Sequence, residues 1–405
     1  MSPLPPLLLR GDCMVELARI PDASVDAIVT DPPYGIDFMG KDWDKAVKLA
    51  AGMIGQLATG GKSDRGPLAK GGTHSQGYKN HDGLAFELWV TRWATECMRI
   101  LKPGGHLLAF GGSRTWHRLA AGIEDAGFEV RDSIAWLYGS GFPKSLDVSK
   151  AIDKAAGATR EVVGPGGKSG TVRSSMAGDF AGSWDTTAPT TDAAREWQGW
   201  GTALKPAFEP IVVARKPLSE KTVAANVLAH GTGALNIDAT RIETEDSLLG
   251  GRSTSGAVKA SHDGWNRPFM DDAEHVEAIR DAARDRQGKA SGRWPANVIL
   301  DESQAAALDE QSGASRFFYV AKAPKSERPV TPDGVAHPTV KPLALMRYLV
   351  RLVTPPGGCV VDPFAGSGTT LEAAYLEGFE SIGVELTPDY WPLIEARIER
   401  VSRGA

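Results

Sequence analysis

The 405-residue chain carries 45 Lys and Arg against 50 Asp and Glu, a formal net charge of −5, so any nucleic-acid binding has to come from locally gathered basic residues rather than a global positive field. Its 42% hydrophobic and 23% charged content is that of an ordinary globular protein with room for one large or two medium domains. Three widely separated cysteines (Cys13, Cys97, Cys359) have no CxxC spacing and predict neither a zinc site nor a disulfide framework, in keeping with a reducing cytoplasm, and no apolar stretch is long enough to span a bilayer.

Leu7–Arg10 reads as a strand ending in the acidic turn Gly11-Asp12. Cys13–Ile20 reads as a short helix stopped by Pro21. Val25–Val29 is an apolar run, a buried strand that delivers Thr30-Asp31-Pro32-Pro33-Tyr34-Gly35 to its carboxyl end. Strand, helix, strand predicts a βαβ unit with two parallel, neighbouring strands. From about residue 40 to 82 the pattern dissolves into polar, glycine-rich sequence, made basic by Lys41, Lys45, Lys48, Lys62, Arg65, Lys70 and Lys79: a mobile lid or an insertion.

Phe86, Trp89, Trp93 and Cys97 recur at helical spacing, and Lys102–Gly105 ends that helix. His106–Phe110 is a strand, Ser113 caps a helix ending at Gly127, and Phe128–Tyr138 is a further strand. A short helix over Leu146–Ala155 is followed by a Gly/Ser/Thr-rich stretch to Gly201. Phe208–Ala214 is a strand suited to the antiparallel edge that α/β sheets often carry. From Pro217 to Ser315 periodicity is weak, with short candidates at Val223–Leu228 and Ala296–Leu300. Arg280, Arg284, Arg286, Lys289 and Arg293 form a basic cluster there, either a separate recognition region or a solvated insertion. Arg316–Lys322 is strand-like.

The last ninety or so residues are the most regular. His337-Pro338-Thr339-Val340-Lys341-Pro342 opens a helix through Leu343, Met346, Leu349 and Val350. Cys359–Asp362 is a buried strand, Pro363-Phe364-Ala365-Gly366-Ser367-Gly368-Thr369-Thr370 a glycine-rich turn into a helix, and Ser381–Glu385 a second strand ending in an acid. Tyr390, Ile394, Ile398 and Val401 mark the apolar face of a final helix.

Two of these segments carry chemistry. Pro32 and Pro33 have fixed φ and no N–H, so the turn they form is stiff and acceptor-rich. With the Asp31 carboxylate and the Tyr34 ring it suits a flat heterocycle bearing an amino group; the plainer alternative is a Pro-Pro turn with a surface Tyr. The glycines at the second turn let a ligand approach the backbone, and Glu385 is placed to accept from both hydroxyls of a ribose. A dinucleotide fingerprint would need a third glycine where Leu371 stands. The Gly-Lys-Ser runs at 61–63 and 167–169 have Gln56 and Val162 where a phosphate loop has its leading glycine. What remains is a nucleoside without pyrophosphate, S-adenosylmethionine first among them; the plainer alternative is a tight turn with no ligand.

These residues resemble the amino-directed DNA methyltransferases, the N6-adenine/N4-cytosine class. Asp31-Pro32-Pro33-Tyr34 is similar to that family's catalytic motif, Asp362–Thr370 to its cofactor motif and His337–Pro342 to the segment preceding it, with Val340 where many members have Gln. Catalytic motif first and cofactor motif last, with a variable segment between, is the order of the β group. The resemblance implies a circularly permuted, Rossmann-like α/β sheet with helices on both faces, in which the strand ending at Asp31 is the family's fourth and Cys359–Asp362 its first. It implies a catalytic half over 1–216, a target-recognition region over 217–315 and a cofactor-binding half over 316–405. The catalytic residues would be Asp31, Pro32, Pro33 and Tyr34. The S-adenosylmethionine site would comprise Asp12, Cys13, Asp31, Lys341, Asp362, Pro363, Phe364, Ala365, Gly366, Ser367, Gly368, Thr369 and Glu385, with no metal.

The implied activity is methylation of the N6 amino group of a flipped-out adenine. N4-cytosine is the close alternative, and RNA or a protein amide is the remoter one. The implied partners are double-stranded DNA, a cognate restriction nuclease and a second copy of the chain, in a prokaryotic or phage-type cytoplasm. The Lys-rich 40–82 loop is the expected DNA-backbone contact, disordered without DNA. Trp184, Trp197, Trp200, Trp265 and Trp294 are expected mostly to close small satellite cores rather than to wedge into DNA.

Overall fold

The computed structural model describes residues 3–36, 80–139, 141, 145–165, 185–244, 292–321, 337 and 339–403. The loop expected over 40–82 lies outside the described residues up to residue 79, as do Arg280–Lys289, Trp184 and Trp265. The chain begins with β1 (Leu7–Arg10), α1 (Cys13–Leu17) and β2 (Val25–Thr30), followed by α2 (Asn80–Ile100), β3 (Leu101–Phe110), α3 (Trp116–Asp125) and β4 (Glu129–Leu137). An insertion carries α4 (Val148–Ala155), a small hairpin of β5 (Val162–Pro165) and β6 (Asp185–Thr187), and α5 (Asp192–Glu196). Next come β7 (Phe208–Arg215), α6 (Val223–His230), β8 (Val298–Asp301), α7 (Glu302–Ser312) and β9 (Tyr319–Ala321). The chain closes with α8 (Leu343–Val353), β10 (Cys359–Asp362), α9 (Thr369–Leu376), β11 (Glu380–Glu385) and α10 (Trp391–Arg403).

Nine of these strands form one sheet in the order β1-β11-β10-β2-β3-β7-β4-β8-β9, every pairing parallel except those of β7. Both faces are covered, and the strands alternate accordingly. Leu107, Ala109, Val212, Ala214 and Val361 point into a core with α1, α2 and α3. Leu108, Phe110, Ile211, Val213 and Val360 point into another with α8 and α9. Near-continuous apolar strands are what a doubly covered parallel sheet requires.

The two ends of the chain meet as expected: β10 pairs with β2, Val360 opposite Ala27 and Val361 opposite Ile28. Three local expectations are corrected. β1 and β2 are parallel but not neighbours, because β11 and β10 from the chain's far end insert between them. β7 is antiparallel but interior, held by β3 on one side and β4 on the other. Ser113 does not cap α3: the Gly112 carbonyl accepts from Thr115 and Trp116, so the turn is closed by backbone. α2 ends at Ile100, just ahead of Lys102–Gly105 as expected, and these residues go on to bulge within β3, whose register jumps between the Val25–Leu101 and Ala27–His106 pairs, with Lys102 Nζ on Asp26 at 2.7 Å.

Strand direction sorts the connections between two ends of the sheet. The insertion at 138–207 leaves the carboxyl end of β4 and returns into β7 at that same end, its two legs joined by Tyr138 N donating to Ala207 O and Val148 N to Trp200 O. It is stiffened by a buried carboxylate: Asp153 accepts from Thr190 N, Thr191 N and Arg160. The segment after β7 packs at the opposite end, where Asn226 Nδ2 and Thr232 Oγ1 donate to Pro103 O. Val298–Asp301 of the 217–315 stretch is a strand of the main sheet, and 245–291 lies outside the described residues. Trp197 and Trp200 are exposed and pack edge-on against each other at 5.0 Å. Trp294 is exposed too, beside Arg241 at 5.5 Å. These three close no satellite core, contrary to expectation; ring–ring and cation–π contacts take the place of burial.

Among the described residues no helix is long and apolar enough to cross a membrane.

Candidate active site

Four acidic residues follow one another across four adjacent strand ends: Asp12 after β1, Glu385 on β11, Asp362 on β10 and Asp31 after β2. From β10 the chain proceeds to β11 on one side, while from β2 it proceeds to β3 on the other. The crevice between them is the topological switch point, where open α/β sheets bind ligands.

The glycine-rich turn runs from β10 into α9. Asp362 is buried, and both its oxygens are engaged: Thr30 Oγ1 donates at 2.6 Å, Thr370 Oγ1 at 2.6 Å and Phe364 N at 3.0 Å. The geometry therefore makes Asp362 the clasp joining β2, the turn and α9. Pro363, Ala365, Ser367 and Thr369 are buried in the turn, Ser367 Oγ lying 3.1 Å from Thr369 Oγ1. Phe364 is wedged against Trp89 and Trp93. Gly366 and Gly368 take φ of +54° and +79°; a Cβ on Gly366 would lie 3.1 Å from His337 Nε2, and one on Gly368 3.1 Å from Ile394. Bare backbone is required at both, and it leaves the main chain approachable. Glu385 accepts from Gly366 N at 2.8 Å and Thr387 N at 2.7 Å, so each carboxylate oxygen keeps a lone pair for a further donor. Asp12 caps α1 through Met14 N at 2.8 Å. Cys13 is buried, and burial followed by the Asp12 charge pushes its thiol up to about 12. It belongs to the core beneath the site.

Glycine-lined and rich in carboxylates, the crevice fits a nucleoside with ribose hydroxyls and a cationic centre. Replacing Glu385 by Ala is expected to weaken S-adenosylmethionine binding by about tenfold or more, since hydrogen bonds to a charged acceptor contribute about 1.5–3 kcal/mol. Calorimetric titration checks this, and an unchanged affinity would remove Glu385 from the site.

The Asp31-Pro32-Pro33-Tyr34 turn lies beside it. Pro32 is buried, Pro33 half-buried, and Tyr34 lies against bare Gly112, where a Cβ would come within 3.0 Å of the ring. Tyr34 Oη sits 2.9 Å from Asp31 Oδ1 and 3.1 Å from Glu209 Oε2. Lys341 does not reach the glycine turn. Its Nζ lies 2.9 Å from Asp31 Oδ2, 3.0 Å from Glu209 Oε2 and 3.1 Å from Tyr34 Oη, and 4.8 Å from the Phe110 ring centre. Burial opposes the ammonium, but Asp31 and Glu209 outweigh it and hold Lys341 above its usual value. Tyr34 is kept neutral, raised by burial and then by the same two carboxylates. The only sequence signal for Glu209 is its place as an acid at the mouth of the apolar strand Phe208–Ala214. His337 takes the place over Gly366, its ring 4.5 Å from Tyr390.

Two buried groups set opposing pH dependences. Burial raises Asp362 from 3.8 to about 6, so its contribution to stability is full below 3.8 and is lost as pH rises through 6. Burial lowers His337 from 6.5 to about 4, so its contribution is full above 6.5 and is lost as pH falls through 4. Each is worth about 3 kcal/mol, and across pH 4–6 they offset one another. His337→Gln removes one side, so its melting temperature should rise relative to wild type as pH falls from 7 to 4. Parallel melting curves would contradict this.

A mostly parallel sheet with β7 antiparallel, a glycine turn and acid at adjoining strand ends, and an Asp-Pro-Pro-Tyr turn beside them define a methyltransferase. The profile of the N6/N4 methyltransferase family, described as DNA methylase, matches residues 25–396, and the chain belongs to that family of S-adenosylmethionine-dependent DNA methyltransferases. It is 26% identical over 385 residues to the Type II methyltransferase M.HindIII of Haemophilus influenzae, covering 93% of this chain and 90% of that one. It is also 26% identical over 129 residues to M.HinfI of Haemophilus influenzae, covering 32% and 30%. Among solved structures, the PvuII DNA methyltransferase (cytosine-N4-specific) aligns at TM-score 0.44 and 14% identity over 99% of this chain and 93% of that one. The M1.HpyAVI–SAM complex aligns at 0.39 and 15% over 97% and 98%.

Proposed function

We propose that the protein methylates the exocyclic N6 amino group of adenine at specific sites in duplex DNA. The observation that carries this is the placement of Asp31-Pro32-Pro33-Tyr34 one strand away from the Gly366–Gly368 turn, across the β2–β10 crevice. A base paired in a duplex cannot enter such a crevice, so it is turned out of the helix. Tyr34 stacks on its face. Asp31 and the Pro32 carbonyl accept the two amino protons, which orients the nitrogen lone pair and stabilises the positive charge that develops there. When bound, S-adenosylmethionine supplies an electrophilic methyl group. Gly366, Gly368 and Glu385 would hold it, with Asp12 at the far strand end. Asp at the first motif position resembles adenine-directed members, where cytosine-directed ones frequently have Ser. Incubation with unmethylated DNA and S-adenosylmethionine, followed by single-base mapping, tests the assignment: N6-methyladenine is expected, N4-methylcytosine would replace it, and unmodified DNA would overturn it.

Target recognition is assigned to 217–315 together with the 138–207 insertion. The second is added because, among the described residues, it rises from the catalytic end of the sheet, whereas 217–244 packs at the opposite end. Trp197→Ala with Trp200→Ala should weaken DNA binding in an anisotropy titration by about tenfold while leaving cofactor affinity unchanged. Undiminished DNA affinity would take the insertion out of the interface. A second copy of the chain and a cognate nuclease remain proposed partners, to be sought by sedimentation and by co-purification.

A further inference from the structure

The second carboxylate, Glu209, has no counterpart in the motifs that define the family resemblance. It projects from β7, across the site from the turn that carries Asp31. Lys341 Nζ lies between the two acids, 2.9 Å from Asp31 Oδ2 and 3.0 Å from Glu209 Oε2, and the Tyr34 hydroxyl is within 3.1 Å of both. Tyr138, at the end of β4, also bonds Glu209 and is pushed up to about 12, by burial and then by the Glu209 charge. Asp31, Glu209, Lys341, Tyr34 and Tyr138 are thus the titratable groups in direct contact here, with the Asp362 carboxylate facing Asp31 from the neighbouring strand outside the cluster. Two carboxylates, one ammonium and two neutral phenols leave the cluster with one net negative charge.

That balance matters for the amino nitrogen. A carboxylate paired alone with a buried ammonium is electrically neutral at short range and gives little stabilisation to a second positive charge. We propose, on the functional assignment above, that Glu209 is a positioning residue. It neutralises Lys341, so that Lys341 can hold the Asp31 carboxylate and the Tyr34 hydroxyl in place without cancelling the Asp31 charge on which methyl transfer depends.

Charge counting makes this testable apart from any structural role. Glu209→Gln leaves Lys341 unopposed against Asp31, for a net charge of zero. Lys341→Met with Glu209→Gln restores a net charge of minus one, carried by Asp31 alone. Single-turnover transfer of labelled methyl groups to unmethylated DNA is compared for wild type, E209Q and the double variant, with cofactor affinity measured by calorimetry. E209Q should be slower by about tenfold or more, with cofactor affinity intact. The double variant should recover at least about threefold over E209Q. An E209Q rate within about threefold of wild type, or a double variant no faster than E209Q, overturns the inference. Wild-type protein that transfers no methyl group to DNA overturns the functional assignment and the inference with it, whereas active wild type with an unaffected E209Q overturns the inference alone.

Discussion

Asp31→Ala should reduce methyl transfer to DNA by at least about a hundredfold, the scale seen when one aimed polar group is taken from a site of developing charge, while S-adenosylmethionine still binds. Asp31 is the acid of the Asp-Pro-Pro-Tyr turn and makes no bond that holds the glycine-rich turn together. The clasp between the two is Thr30 on Asp362 at 2.6 Å, and it survives the substitution. What disappears is the acceptor for the amino group, leaving Lys341 with Glu209 alone at 3.0 Å. Lys341 and Glu209 then form a neutral pair where a net negative charge should meet an increasingly positive nitrogen, so the electrostatic stabilisation of transfer is lost. Labelled-methyl incorporation and calorimetry on the same preparation separate the two quantities. Normal turnover by the variant would remove Asp31 from catalysis, and lost cofactor binding would place it in the pocket instead.

The parts of this site that could be read from residues are those where backbone demands a residue type. Asp31-Pro32-Pro33-Tyr34 follows an apolar run and needs a strand end. Gly366 and Gly368 need positive φ. Glu385 closes a strand neighbouring the one that leads into the glycine turn. What could not be read depends on which strands become neighbours. The local rhythm Leu7–Arg10, helix, Val25–Thr30 suggests an adjacent pair, and nothing in it reveals that β10 and β11 will insert between them. The same holds for Phe208–Ala214, whose antiparallel sense was expected but whose interior position follows from strands far along the chain. Lys341 belongs to a recognisable motif, yet its partners come from β7 and from the turn after β2, so its place beside Asp31 rather than at the glycines emerges only when those ends converge. Glu209 escaped for the same reason: a single acid in a strand signals nothing until an ammonium and a second acid are brought against it.

The largest expected loss of stability comes from the support behind the cofactor turn. α9 starts at that turn and is held to α10 by a buried ion pair, Glu372 with Arg397, both almost fully inaccessible, with half-exposed Arg400 on the other Glu372 oxygen. Two charges taken out of water are tolerated because each offsets the other, and removing Glu372 takes from buried Arg397 the carboxylate of this pair. Glu372→Ala should therefore cost about 3–5 kcal/mol of unfolding free energy, read as a lower urea midpoint. Glu372→Leu combined with Arg397→Leu should recover most of that, since an apolar pair of similar volume carries no desolvation penalty. The turn should register the change as well. Gly368 is packed so closely on Ile394 of α10 that a Cβ there would lie 3.1 Å away, so loosening α10 from α9 releases the backbone that approaches the cofactor. S-adenosylmethionine should accordingly bind the Glu372→Ala variant more weakly than the double variant. A Glu372→Ala protein with a wild-type midpoint would mean that Arg397 reaches solvent or another acceptor at little cost, and that the pair does not hold the two helices together.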